Sequence, residues 1–324
     1  MSPTSLSVIS DAVHVRVPAK LNLYLGVGAR RADGYHDLVT VYQALSIHDD
    51  ITVAPAARLH VTMSRDNRHS RGAQDTAAVP LDHTNLAARA ATALAARVGR
   101  DPKVSIDIRK RIPVAGGMAG GSADAAGTLV ALAELWKLDI DRAELLEIAA
   151  GLGSDVPFSL RGGTALGTGR GERLMPVLAR GELHWVLAFA SEGLSTPAVY
   201  GELDRLRDNR SDDPGGNDPG VQFPDALISA LAAGHAAAVA AHLHNDLQPA
   251  ALSLQPALRR TLRAGMDAGA LGGLVSGSGP TCAFLCADAE SAIGVAAELA
   301  GAGVARSVRT ATGPVGGARV LGPE

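Results

Sequence analysis

The stretch from Pro113 to Ala126, PVAGGMAGGSADAA, limits what this chain can fold into more than any other segment. Gly116, Gly117, Gly120 and Gly121 lie between a β-like alternation (Val104, Ile106, Ile108) and an Ala-rich run that continues to about Trp136. Glycines permit left-handed backbone and let a ligand approach the main chain closely. A strand, a glycine turn and a helix in that order aim successive N–H groups into one concavity. The helix, expected to start near Ser122, adds the partial positive charge of its N-terminus. Phosphate is the chemistry that fits such a cradle. Ser122 can cap the helix or offer its hydroxyl to a phosphate or Mg²⁺. The loop is not a Walker A motif, since no Gly-Lys-Ser/Thr ends it, and it is not a G-x-G-x-x-G fingerprint. The competing reading is a tight turn whose glycines serve only packing.

Around this loop the periodicity is mixed. Val13, Val15 and Val17 alternate, and so do Leu21, Leu23 and Leu25 after Pro18. Lys20, Asn22 and Tyr24 then point away from the leucines. Further strands are expected over 38–53, within 162–172, over 183–190 and on both sides of a glycine turn in 271–286. Helices are expected over 85–98, 224–242, 256–268 and 289–300, with the glycine turn and its Ala-rich helix together filling 113–136, followed by a final strand. Asp141 and Glu144 have capping-box spacing, and Thr196-Pro197 reads as a cap before proline at the first helical position. The polar stretches 64–75 and 207–220 read as loops. A chain of 324 residues with this mixed order predicts two α+β domains, 1–176 and 177–324. Only 3% of residues are aromatic, so Ala, Val and Leu must do most of the packing.

Charge and composition exclude some classes. The formal net charge is -3, without the basic bias that nucleic-acid binding leaves, so no nucleic-acid partner is expected. The two cysteines, Cys282 and Cys286, are too few for a disulfide framework and read as buried thiols in a reducing compartment. The N-terminus shows no basic segment followed by an apolar run, and no apolar stretch is long enough to span a membrane. A cytoplasmic protein with a small-molecule substrate is the expectation. His242 and His244 have the spacing of paired metal ligands on a strand, but a loop or helix end is by far the better explanation, and no metal site is expected from the sequence.

Several segments together resemble the GHMP kinase superfamily. They are Val17–Leu23 (VPAKLNL), Arg31–His36 (RADGYH), the glycine loop, Gly153–Pro157 (GSDVP) and Ser276–Thr281 (SGSGPT). They occur in family order, from about residue 15 to residue 286. The glycine loop alone would name only the superfamily. The Lys-Leu-Asn and Asp-Gly-Tyr-His segments are similar to those of members acting on a cytidyl diphosphate alcohol. Ala115 and Ala119 depart from the glycine many relatives carry there. The resemblance implies a ribosomal protein S5 domain 2-like N-terminal domain and a ferredoxin-like C-terminal domain. It places ATP, with Mg²⁺, along Pro113, Val114, Ala115, Gly116, Gly117, Met118, Ala119, Gly120, Gly121, Ser122 and Ala123. The substrate would lie in the cleft between domains.

The resemblance also implies roles for single residues. Asp155 becomes the candidate base for the acceptor hydroxyl, although Ser154-Asp155 also suits an ordinary helix start. Lys20 can keep Asp155 ionised and steady charge on the transferring group. Asn22 leaves the same strand face as Lys20 and would help hold substrate. Tyr35 and His36 would meet the cytosine by stacking and hydrogen bonding. Thr196 and Tyr200, four apart on a helix start, would line the same pocket; a cap and a packing residue is the alternative. Lys110, before the loop, and Asn85 are expected near the nucleotide. Homoserine- or mevalonate-type kinases remain open as alternatives, as does a non-catalytic RNA binder built on an S5-like domain.

Overall fold

The computed structural model describes residues 12–65, 79–114, 116–211 and 221–322. The alternation at the start becomes one long strand, β1 (Val13–Arg30), antiparallel to β2 (His36–Pro55). Val15, Val17, Ala19, Leu21 and Leu23 are fully buried. The opposite side of β1 is covered as well, so Lys20 and Asn22 are buried too. Then come β3 (His60–Arg65), α1 (Leu86–Arg97), β4 (Val104–Lys110), α2 (Gly120–Leu135), α3 (Arg142–Leu152) and α4 (Val156–Arg161). The hairpin β5 (Thr164–Gly169) and β6 (Arg173–Pro176) follows. The path β12-β1-β2-β4-β3 forms one sheet, which β5, β6 and β8 also join.

The second half supplies β7 (Leu183–Phe189), α5 (Thr196–Ser211), α6 (Asp225–Ala233), α7 (Ala236–Ala240), β8 (His244–Asn245), α8 (Gln248–Leu254) and α9 (Leu258–Asp267). It ends with β9 (Gly272–Val275), β10 (Cys282–Cys286), α10 (Ala289–Gly301), β11 (Ser307–Gly313) and β12 (Arg319–Val320). A four-stranded antiparallel sheet has the order β11-β7-β10-β9. Two short strands of this half cross back: β8 pairs in parallel with β1, and β12 pairs antiparallel with its opening residues. One apolar cluster reaches from β1, α1 and α2 into β7 and α6. Trp185 is fully buried there and donates from its indole N–H to Gln43 Oε1 at 3.0 Å, tying β7 to β2.

Several expected elements shift. The loop-to-helix transition comes earlier than Ser122, because Ala119 takes left-handed backbone (φ 56°) and the helix starts at Gly120. The single helix expected over 224–242 is broken by Gly234 (φ 75°) into α6 and α7. The 207–220 segment is not all loop: α5 runs on to Ser211, and Arg207 donates to the carbonyls of Val27 and Gly28. Residues 212–220 lie outside the described residues. Of the 64–75 stretch, Ser64 and Arg65 belong to β3, and the remainder lies outside the described residues. Among the described residues no helix is long and apolar enough to cross a membrane. The Cys282 and Cys286 thiols are free, and burial pushes Cys282 up to about 12, so it stays protonated and unreactive.

Candidate active site

One cleft of about 790 Å³ runs from the glycine loop to the turn between β1 and β2. The loop enters it because the sequence leaves no side chains in the way. At Gly117 (φ 71°) a Cβ would collide with the carbonyl oxygen of Ser276, so only glycine lets the two glycine turns touch. Ser276 Oγ donates to Gly117 O at 3.1 Å and fastens that contact. The N-terminus of α2, sixteen residues long, opens directly into the cleft at Gly120 and Gly121. Its free N–H groups and dipole suit an anion.

Lys20, Asn22 and Asp155 line the same cleft. Lys20 Nζ lies 3.6 Å from Asp155 Oδ2 and donates to Asn22 Oδ1 at 2.6 Å. Asn22 Nδ2 donates to Thr40 Oγ1, which donates to Tyr24 O; this chain fixes the amide so that its oxygen faces the lysine. The Lys20 main-chain N–H donates to Met118 O, tying β1 to the glycine loop. Asp155 precedes α4, but its side chain makes no capping bond. The carboxylate is therefore not occupied by its own helix, which removes the ordinary helix-start explanation for it.

At the other end, Tyr35, His36, Thr196 and Tyr200 line the cleft. The His36 and Tyr200 rings are 5.1 Å apart, and His36 shares a 2.8 Å hydrogen bond with Asp204 through Nε2. Tyr35 is largely exposed, with the Arg170 guanidinium 5.2 Å over its ring. Burial and then the Asp155 charge raise the Tyr200 phenol above its ordinary value. Thr196 Oγ1 hydrogen-bonds Ser278 Oγ at 2.9 Å, linking α5 to the second glycine turn.

Other expected residues have different surroundings. Asn85 caps α1: its Oδ1 accepts from Ala87 N and its Nδ2 donates to Pro80 O, and it does not line the cleft. Met118 and Ala123 are buried in the core, Ser122 does not line the cleft, and Ala115 lies outside the described residues. Lys110 lines the cleft, but its ammonium is held by Asp49 Oδ2 at 2.6 Å and Asp124 Oδ2 at 3.0 Å. Burial alone would lower that ammonium; the two carboxylates overcome it and hold it above its ordinary value. The second carboxylate bears the cost, since burial pushes Asp124 up to about 7 despite Lys110. His244 pairs with Asp246 at 2.8 Å, and among the described residues no cluster of three His, Cys, Asp or Glu could hold a metal.

Sequence reasoning missed Asp49, Asp124, Asp204 and Tyr42. Asp204 was findable, because it continues the α5 face begun by Thr196 and Tyr200 at steps of four. Asp124 was findable as the one acid in an Ala-rich helix start. Asp49 and Tyr42 come from β2 and needed its pairing with β1 and β4.

The chain matches two family models, "GHMP kinases N terminal domain" over residues 85–163 and "GHMP kinases C terminal" over 227–305. It is 62% identical to a protein of Nocardia farcinica (strain IFM 10152) named 4-diphosphocytidyl-2-C-methyl-D-erythritol kinase, over 98% of this chain and 99% of that one. A protein of the same name from Mycobacterium tuberculosis (strain ATCC 25177 / H37Ra) is 57% identical over 98% of this chain and 95% of its own. Among solved structures, a 4-(cytidine 5'-diphospho)-2C-methyl-D-erythritol kinase superposes with a TM-score of 0.69 at 32% identity, covering 93% of this chain and all of that one. Homoserine kinase from Cytophaga hutchinsonii reaches 0.72 at 16% identity, covering 98% of this chain and 100% of that one, a likeness of fold alone.

Proposed function

This chain belongs to the GHMP kinase family, an ATP-dependent family with a two-domain fold of mixed helix and strand, and from that premise we propose its reaction. It transfers the γ-phosphoryl group of ATP to the 2-hydroxyl of 4-diphosphocytidyl-2-C-methyl-D-erythritol, a step of non-mevalonate isoprenoid precursor biosynthesis. One observation carries the reading: the Lys20–Asp155 pair faces the glycine loop across a single cleft whose far end carries Tyr35, His36 and Tyr200.

Each part then has a task. The N–H groups from Gly116 to Gly121 and the α2 dipole hold the triphosphate. Asp155 accepts the proton of the attacking hydroxyl. Lys20 offsets charge on the moving phosphoryl group, and Asn22 keeps its ammonium in place. Tyr35 and Tyr200 offer faces to the cytosine, and His36, oriented by Asp204, offers a hydrogen bond. Thr196 lines the diphosphate-alcohol path. In this reading residues 1–176 are the ATP-binding half and 177–324 the second half, with the substrate between them. Lys110 belongs to the nucleotide end, anchored by its acids, and Asn85 acts through the α1 cap. In this reading Mg²⁺ would come with ATP and would supply charge neutralisation at the phosphates. The place of action in this reading is the cytoplasm.

Purified protein given Mg-ATP and a panel of alcohols tests the assignment. The cytidyl alcohol is expected to be phosphorylated, and homoserine and mevalonate are not. Turnover of either of those with none of the cytidyl compound overturns it. Lys20→Ala is expected to lower kcat by roughly 10²-fold, the scale of losing one positioned electrostatic donor, with a smaller change in nucleotide affinity. A steady-state assay beside a nucleotide titration reads both numbers.

A further inference from the structure

His36 has one ring nitrogen committed and one open. Its Nε2 shares a 2.8 Å hydrogen bond with Asp204 Oδ1. Among the described residues no hydrogen bond reaches its Nδ1. The enclosed side-chain polar atoms without a partner among those residues are Asp124 Oδ1 and Gln255 Oε1, so His36 Nδ1 is reached from the cleft that the residue lines. Asp204, half-buried, lines the same cleft. His36 opens β2 and Asp204 stands in α5, so the pair also joins the two halves of the chain. Asp204 follows Tyr200 by one helical turn, and the Tyr200 ring lies 5.1 Å from the imidazole, tilted by 30°. With a partner at its edge and a neighbour on its face, the imidazole is held in one orientation.

Hydrogen-bond chemistry then fixes where the ring proton sits. A carboxylate accepts and does not donate. Nε2 is thus the N–H of a neutral imidazole, and Nδ1 keeps its lone pair. At this point the cleft presents an acceptor. Cytosine and uracil differ in what they would bring to it: position 4 of cytosine carries an amine, which donates, and position 4 of uracil a carbonyl, which accepts. The Nδ1 lone pair attracts the first and repels the second. A plain strut between β2 and α5 would need no open atom in the cleft and no proton on a particular nitrogen.

We propose that Asp204 determines which base the cleft takes: by keeping the His36 proton on Nε2 it makes Nδ1 the acceptor that reads the 4-amino group, so that cytidyl alcohols are accepted and uridyl alcohols refused. This rests on the kinase reading above. Asp204 acts through His36 and touches no reacting atom, so it is a positioning residue. Without the carboxylate the imidazole can carry its proton on either nitrogen, and Nδ1–H can donate to a 4-carbonyl. Losing Asp204 therefore costs the choice between bases more than it costs rate.

The test is Asp204→Ala, assayed with the cytidyl alcohol and its uridyl counterpart. The unsubstituted protein is expected to prefer the cytidyl compound in kcat/KM by about 10²-fold or more, as a site does when the wrong substrate leaves its polar group unmatched. In the variant the preference is expected to fall below about tenfold, the scale of one ordinary hydrogen bond. An unchanged preference, or an equal loss on both substrates, overturns the role, because a strut would give the same. The ring proton is read without turnover, by ¹H–¹⁵N NMR of the histidine side chains at about pH 8, above the ordinary imidazole range, with His36→Gln identifying the resonances. Nε2 protonated and Nδ1 bare is the expected spectrum, and D204A is expected to mix the two forms. A protonated Nδ1 in the unsubstituted protein overturns the proposal, whether or not the variant folds. If the unsubstituted protein phosphorylates neither alcohol, the proposed function falls separately, and the spectrum alone decides on Asp204.

Discussion

Asp155→Asn is expected to bind ATP as the unsubstituted protein does and to lose turnover by about 10²–10⁴-fold, the usual contribution of a positioned general base. The amide has nearly the same shape but cannot take the proton of the attacking alcohol. The side chain makes no capping bond to α4, so the substitution removes no structural bond there. The glycine loop that holds the triphosphate lies on different elements, before and at the start of α2. A nucleotide titration and a steady-state assay on the same preparation separate the two effects. Retained turnover would remove Asp155 from the base role, and lost ATP binding would mean that the carboxylate shapes the nucleotide site instead.

The second large effect is on stability. Asp49 is fully buried and accepts three hydrogen bonds: from Lys110 Nζ at 2.6 Å, from Arg111 N at 2.6 Å and from Ile112 N at 2.8 Å. It thus holds the end of β4 just before the glycine loop. Asp49→Ala leaves two main-chain donors without their partner and a buried ammonium with Asp124 alone. Breaking a buried, hydrogen-bonded pair in this way costs about 3–5 kcal/mol. Urea unfolding followed by circular dichroism measures it. Asp49→Asn, which keeps an oxygen acceptor for the two N–H groups, is expected to lose less. Equal losses for the two variants would show that charge alone matters there, and a loss near zero for Asp49→Ala would refute the anchoring role.

Much of the architecture was readable because local patterns and tertiary demands agree. The alternation in β1 survives as a buried face, and its polar residues Lys20 and Asn22 do share one side and one cleft. The glycine loop sits between β4 and α2 as the order of strand, turn and helix required. What could not be read depends on pairing across long separations. Asp49 and Lys110 are brought together by the β2–β4 ladder, and Tyr42 meets Lys20 through β1–β2 pairing and Phe158 through the packing of α4. The end of α5 was hidden for a related reason. Asp, Asn and Arg at 207–211 read as a loop, but Arg207 reaches the carbonyls of β1 and Asp246, so a distant contact keeps the helix going. In α6 and α7 the apolar pattern ran on while one glycine ended the first helix.

The return of β8 and β12 to β1 bears on how the protein is made. Tyr24 and Leu25 of β1 receive their parallel neighbours from residues 244–245, and Val15 and Arg16 receive theirs from 319–320. During synthesis that flank has unpaired main-chain groups until nearly the whole described chain has been translated. Open strand flanks invite association with other chains, and contacts this distant in sequence form late. The nascent chain therefore carries an unfinished sheet through most of translation, and a chaperone that shields the flank of β1 should raise the yield of folded enzyme.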